Sequence, residues 1–331
     1  MKAVSTVIVI ILILMITVAL SVLSYMFFSK IYTSVTTTGS TAVSETSSAM
    51  TALMKIESMS INTIYVRNIG QLDLSNFSVY VADKLANNFT VTPPVVKQGE
   101  TGTVRIYDFI KENDEIKVTT AQGGLSSKKA LDPCDQAIIC LKFDEGSGTK
   151  AYDSSPSGKD GTLINMETSD WVSGMSGTAL QFDGTNEYVS LPLPTFTEPY
   201  TISLWFYPRE LNREQILFYL GGMASSFPRV ELTAINRLLI FAGSEKYRYG
   251  KRVFTSSDLN KWWYVTFMVV NQNDLTTWKI YLNGVDDSDI TGGNTGTYYP
   301  PSTSGTIASL SGSISFNGTI DEVRIYNKAI Y

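Results

Sequence analysis

Residues 4–28, VSTVIVIILILMITVALSVLSYMFF, carry no charged side chain. About 20 apolar residues of helix match the roughly 30 Å hydrocarbon core of a bilayer, so a membrane span is the first expectation. The texture continues past that length. Residues 30–54 are mostly Ser, Thr and Ala, with no proline, one glycine and only Lys30 and Glu45 charged. Small side chains let helices approach closely. A single helix over residues 4–54 would be roughly 75 Å long. No globular core buries such a rod, whereas a bundle of identical rods does.

The whole chain has 331 residues, a formal charge of −5 and no histidine. Its acidic balance gives no basic field for nucleic acid. Without histidine, the commonest general base and transition-metal ligand are missing, which leaves carboxylate chemistry or oxygen-ligand metals. The two cysteines, Cys134 and Cys140, would lie roughly 20 Å apart on one extended strand at about 3.3 Å per residue. A disulfide needs Cα atoms about 4.4–6.8 Å apart. Bridging them therefore requires a chain reversal, which Asp132-Pro133 and Asp135-Gln136 can supply. The alternative is two thiols, one packed in a strand.

From residue 55 the pattern becomes alternation. Residues 58–66, 77–82, 101–106 and 115–120 each alternate apolar and polar side chains, as half-buried strands do. Asn68-Ile69-Gly70, Pro93-Pro94, Lys97-Gln98-Gly99 and Asn113-Asp114 supply turns between them. The reading is a small β-sandwich over 55–121, then a Gly/Ser/Lys/Pro linker over 122–135. Residues 136–331 form a second all-β domain. Its aromatic and β-branched runs cover 138–143, 179–182, 188–191, 200–207, 215–220, 237–242, 262–270, 277–282 and 318–326. Asn283-Gly284, between WKIYL and VDD, signals a type I′ hairpin. Many short strands with such turns argue a two-sheet jelly roll, with Ser203, Trp205 and Tyr207 expected on the inner face. The expected fold class is thus a long N-terminal α-helix followed by two all-β domains.

The order Lys2-Ala3, then Val4 and a long apolar helix, then a soluble domain, resembles the archaeal type IV pilins and archaellins. That resemblance implies residues 1–3 as a leader, cleavage by a prepilin peptidase behind Lys2-Ala3, and Val4 as the first mature residue. It also implies stems that leave the membrane and assemble into a helical homopolymer at the cell surface. The alternative is an uncleaved, membrane-tethered adhesin or receptor.

A second set of motifs lies in residues 136–331. FDEGSG at 143–148, YDSS at 152–155, GKDGT at 158–162, ALQFDG at 179–184, TISLWF at 201–206, KIYLNG at 279–284 and IDEVRIYN at 320–327 occur in this order. Together they resemble the laminin-G-like, concanavalin-A-like jelly rolls. The resemblance implies paired first and last strands, carbohydrate or protein ligands, and in some members a structural Ca²⁺. The matching positions for that cation are Asp321, Glu145 and Gly184, a hard-cation donor set; the plainer reading has these acids capping turns or pairing with Arg324 and Lys142. Glycosidases of the fold carry a Glu-x-Asp-x-x-Glu run with paired carboxylates. The run does not occur here, so no enzyme activity is expected.

Sugar recognition uses exposed aromatic faces, and Tyr247, Tyr249 and Trp171, with Tyr298 and Tyr299, lie in loop-like segments. The plainer reading of residues 246–252 is a solvated strand with both tyrosines turned inward. Sequons at Asn76, Asn88 and Asn317 are N-glycan acceptors in a surface protein. The functional expectation is a structural filament subunit that displays an adhesive, lectin-like jelly roll.

Overall fold

Met54 and Ile56 are buried while Lys55 and Glu57 are exposed. This period of two is what a strand with one solvated face requires. In the computed structural model, which describes residues 52–60, 62–107, 110–111, 113–221, 228–243, 245–310 and 312–330, these residues open the first strand. β1 (Met54–Met59) pairs antiparallel with β2 (Thr63–Asn68), setting Lys55 opposite Arg67.

The long N-terminal α-helix is thereby corrected. Its expected last residue, Met54, is already strand, and the described residues contain no α-helix, only short 3₁₀ turns. At Met54 alternating burial against the β-core overrides the local texture that suggested helix. Among the described residues no helix is long and apolar enough to cross a membrane. Residues 1–51, including the expected Lys2, Ala3 and Val4 processing site, lie outside the described residues.

Six more strands complete the first domain: β3 (Ser78–Val81), β4 (Lys84–Leu85), β5 (Phe89–Thr92), β6 (Thr101–Ile106), β7 (Glu115–Thr119) and β8 (Leu125–Lys129). They form two four-stranded sheets, ordered β1-β2-β6-β5 and β4-β3-β7-β8. Ile64, Val66, Val79, Val104, Ile106, Ile116 and Val118 fill the space between them with no exposed surface. The stretch 122–135, expected as a linker, contains β8. Its polar SSKK is tolerated because β8 is an edge strand held to β7 by backbone pairing.

The second domain begins with β9 (Ile139–Leu141), β10 (Lys150–Ala151), β11 (Gly161–Ile164), β12 (Trp171–Ser173), β13 (Thr178–Asp183) and β14 (Tyr188–Pro192). It continues through β15 (Tyr200–Pro208), β16 (Gln215–Tyr219), β17 (Arg229–Leu232), β18 (Leu238–Phe241), β19 (Lys246–Gly250) and β20 (Trp263–Val269). β21 (Lys279–Leu282), β22 (Val285–Asp286), β23 (Ser288–Asn294), β24 (Ser304–Ile307) and β25 (Asn317–Tyr326) close it. One sheet runs β10-β11-β14-β24-β16-β17-β18-β19-β23, the other β12-β13-β25-β15-β20-β21-β22 with β9 beside β25. First and last strands of the domain are paired, Cys140 facing Arg324.

The large core between these sheets takes Ile202, Leu204 and Phe206 from β15. The expectation that Ser203, Trp205 and Tyr207 point inward is therefore reversed in phase. Because side chains alternate, burying Leu204 and Phe206 turns Trp205 and Tyr207 to the opposite face. There Trp205 lies against Tyr264, ring centroids 5.2 Å apart, and beside the Glu322–Arg324 ion pair.

Cys134 and Cys140 are bridged, with Cα atoms 5.4 Å apart. The 3₁₀ turn Pro133–Gln136, whose Cys134 N–H donates to Asp132 Oδ1, provides the reversal. The two domains meet at the β21–β22 turn. Asn283 and Gly284 both have positive φ, as a type I′ turn demands. Tyr107 of the first domain stacks on Tyr281 at 6.2 Å, and Asn88 Nδ2 donates to Asn283 O.

Candidate functional site

β19 has the sequence KYRYG, and the structure inverts the plainer reading of it. Lys246 and Arg248 are buried at 7% and 8% exposure, while Tyr247 and Tyr249 stay half-buried on the outer face. Two buried cations need partners. Lys246 Nζ donates to Gln272 O and Asn294 Oδ1, at 3.2 and 3.1 Å. Arg248 donates to the carbonyls of Asp289 and Leu275. These contacts fix the phase of the strand, so both tyrosines emerge together, ring centroids 5.6 Å apart and inclined at 75°.

The neighbouring strands extend this surface. Phe241 lies opposite Tyr247, and Leu239 opposite Tyr249. Arg229 sits 3.9 Å over the Phe241 ring, and Arg237 lies 4.9 Å from the Tyr249 ring, both within cation–π reach. Arg237 is itself held by Gly250 O and Asp289. Asp289 is drawn down to about 2, first by the Thr291 amide and then by Arg237. On the other side, Tyr247 rests against β23, where Gly293 leaves room: a Cβ there would fall 2.6 Å from Tyr247 Cε1. The result is an aromatic strip edged by oriented guanidinium groups, a surface able to stack on the apolar face of a sugar while donating hydrogen bonds to its hydroxyls.

Glu231, beside this strip, is 3% exposed and accepts a 2.6 Å hydrogen bond from Arg229 Nε. Burial outweighs that partner and pushes its carboxyl up to about 7. Neither Arg229, Glu231, Arg237 nor Phe241 was expected at a site. The only signals were alternation in residues 229–232 and a continuous apolar run over 238–241, neither of which says which face carries the ligand.

The other expected site residues are dispersed. Trp171 is buried in the jelly-roll core, its indole N–H donating to Gly148 O at 3.3 Å, so it offers no exposed ring. Asp321 is fully buried on β25, accepts from the Ser176 amide at 3.0 Å and leaves Oδ1 unpartnered. Glu145 accepts from the Tyr152 amide. Gly184 lies next to Asn317, four residues along β25 from Asp321, which is roughly 13 Å at about 3.3 Å per residue. Its carbonyl faces Arg213, a cation. Gly184 therefore stands apart from Asp321, and no cluster of three or more His, Cys, Asp or Glu suited to a metal occurs among the described residues.

The sequons also differ. Asn76 is exposed, Asn88 spends its amide on Asn283, and the half-buried Asn317 donates its amide to Glu210 Oε2 at 3.2 Å.

Comparison with known proteins bears on the second domain. No curated protein matches the chain. Domain 4 of AbnA, a GH43 extracellular arabinanase from Geobacillus stearothermophilus solved with arabinotriose, is similar at 22% identity and a TM-score of 0.43, over 58% of this chain and 92% of that one. The binding domain of botulinum neurotoxin DC solved with SialylT is similar at 14% identity and a TM-score of 0.45, over 60% of this chain. The matched part spans about half of the toxin chain, 49%. The family model described as the concanavalin A-like lectin/glucanases superfamily matches residues 183–331, and the C-terminal jelly roll is of that type.

Proposed function

We propose that the protein is a carbohydrate-recognition module, binding glycan on the outer face of β18, β19 and β23, with Tyr247 and Tyr249 as the stacking platform. The observation that carries this reading is the inverted strand: two cations are buried at the cost of dedicated partners, and two aromatic rings are turned outward. The match of residues 183–331 to the lectin/glucanase superfamily supports it. The Cys134–Cys140 bridge favours an oxidising, extracellular setting. The proposal is of binding without catalysis, since Glu231, an acid beside the platform, is buried and engaged by Arg229. Nor does it invoke Ca²⁺, since the platform is built of aromatic rings and guanidinium groups. Polymerisation through residues 4–54 finds no support among the described residues or in the comparisons, and is not included.

The test is a glycan array on the full chain, followed by titration of the best ligand. Tyr247→Ala and Tyr249→Ala should each weaken binding by about tenfold, or about 1.4 kcal/mol, with EDTA without effect. Unchanged affinity in both variants removes the platform.

A further inference from the structure

The cleft where the two domains meet has a lining the proposed glycan platform does not explain. It holds about 210 Å³ and is formed by Ser60, Asn62, Thr63, Tyr65 and Arg105 of the first domain against Lys328, Ala329 and Ile330. Among the described residues no side-chain carboxylate lines it. Thr63 lies opposite Arg105 in the β2–β6 pair, so both project from the same outer face, with Tyr65 two residues along. Tyr65 is 41% exposed, an open ring at the mouth. The far wall is fixed by Thr201, which donates to Lys328 O at 2.7 Å, and by Lys328 Nζ, which donates to Gln136 Oε1 at 2.8 Å.

Asn62 gives the independent pointer to a ligand. It is only 6% exposed, yet its Nδ2 has no hydrogen-bond partner among the described residues. Leaving a buried donor unmade costs about 1–3 kcal/mol. The Asn62 carbonyl and Oδ1 are both used, by Ile106 N and Thr63 Oγ1, so the amide is oriented and its donor end is left for something else. Neither Arg105 nor Lys328 is ion-paired to a carboxylate among the described residues.

We infer that this cleft binds the carboxylate of an acidic sugar residue. Two cations and one oriented amide donor receive the carboxylate oxygens, the Ser60 and Thr63 hydroxyls meet ring hydroxyls, and Tyr65 covers one face of the ring. The volume lies below the roughly 300 Å³ at which drug-sized sites begin, and so admits one sugar unit. Both domains contribute, which makes their junction part of a binding surface distinct from the Tyr247–Tyr249 platform.

The probe is sodium glucuronate, titrated into the full chain by ligand-observed NMR, with glucose and inorganic phosphate as controls. Arg105 is exposed, so Arg105→Gln leaves the fold intact; it and Lys328→Gln should each weaken glucuronate binding about tenfold, while Tyr247→Ala leaves it unchanged. Glucose should not compete. Absence of glucuronate binding, or binding indifferent to Arg105→Gln, overturns the inference. Phosphate binding as tightly as glucuronate with the same dependence on Arg105 also overturns it, reducing the cleft to a general anion site. Loss of binding in Tyr247→Ala alone would assign the ligand to the platform and not to this cleft.

Discussion

Arg324 and Glu322 form an ion pair at 2.5 Å with side chains only 5% and 4% exposed, on the last strand of the jelly roll. Breaking a buried pair by removing one partner costs about 3–5 kcal/mol, because the other charge stays desolvated. Arg324→Met imposes that condition on Glu322. Burial is the largest influence raising the Glu322 carboxyl, and Arg324 is the largest opposing it. Once Arg324 is gone the carboxyl takes up a proton to escape the penalty, so the loss should be greater at pH 8 than at pH 5. A loss of about 3 kcal/mol corresponds to roughly 6–12 °C in Tm for a domain of this size. Calorimetry on Arg324→Met, Glu322→Gln and the double variant at both pH values tests this. The double variant, with no stranded charge, should recover most of the stability lost by Arg324→Met. If it is no more stable than Arg324→Met, or if the Arg324→Met loss does not change with pH, the buried-charge account is wrong.

Three other perturbations have definite outcomes. Glu231 is raised to about 7 by burial, so the folded state holds its proton more tightly than the unfolded chain. That contribution is fully present below about pH 4.5 and is lost as pH rises through about 7, worth roughly 3 kcal/mol at about 1.36 kcal/mol per unit; Glu231→Gln should flatten the pH–stability curve over that window. Gly284→Ala places a Cβ 2.4 Å from Tyr107 O at a φ of +78°, so the Tyr107–Tyr281 stack should part, read as faster proteolysis between the domains with each domain still folded. Replacing Cys134 and Cys140 by serine opens a loop of six-residue separation, and chain-entropy arithmetic gives a loss of about 2 kcal/mol, measured by urea unfolding.

Much of the jelly roll was legible in the chain. Residues 200–207, 215–220 and 318–326 read as strands because runs buried on one or both faces are apolar and β-branched, and they became β15, β16 and β25. The Asn283-Gly284 turn was legible because only residues that tolerate positive φ at consecutive positions fit a type I′ hairpin. Short edge strands were not. β8 and β23 carry polar or glycine-rich sequence, since an edge is held by backbone pairing on one side and buries little. Met54, the last residue of the expected helix, misled for the related reason that local composition does not record its pairing with β2.

The candidate sites divide along the same line. Sequence alone determined that β19 alternates cations with tyrosines, since period-two order is local and covalent. Which of the two sets faces outward was decided by tertiary partners: Gln272, Leu275, Asp289 and Asn294 capture Lys246 and Arg248 from distant loops and strands. Asn62, Arg105 and Lys328 likewise meet only because the last strand of one domain ends against the first sheet of the other. Alternation fixes which side chains share a face. Only folding, by satisfying buried charge at a distance, determines which face meets the solvent.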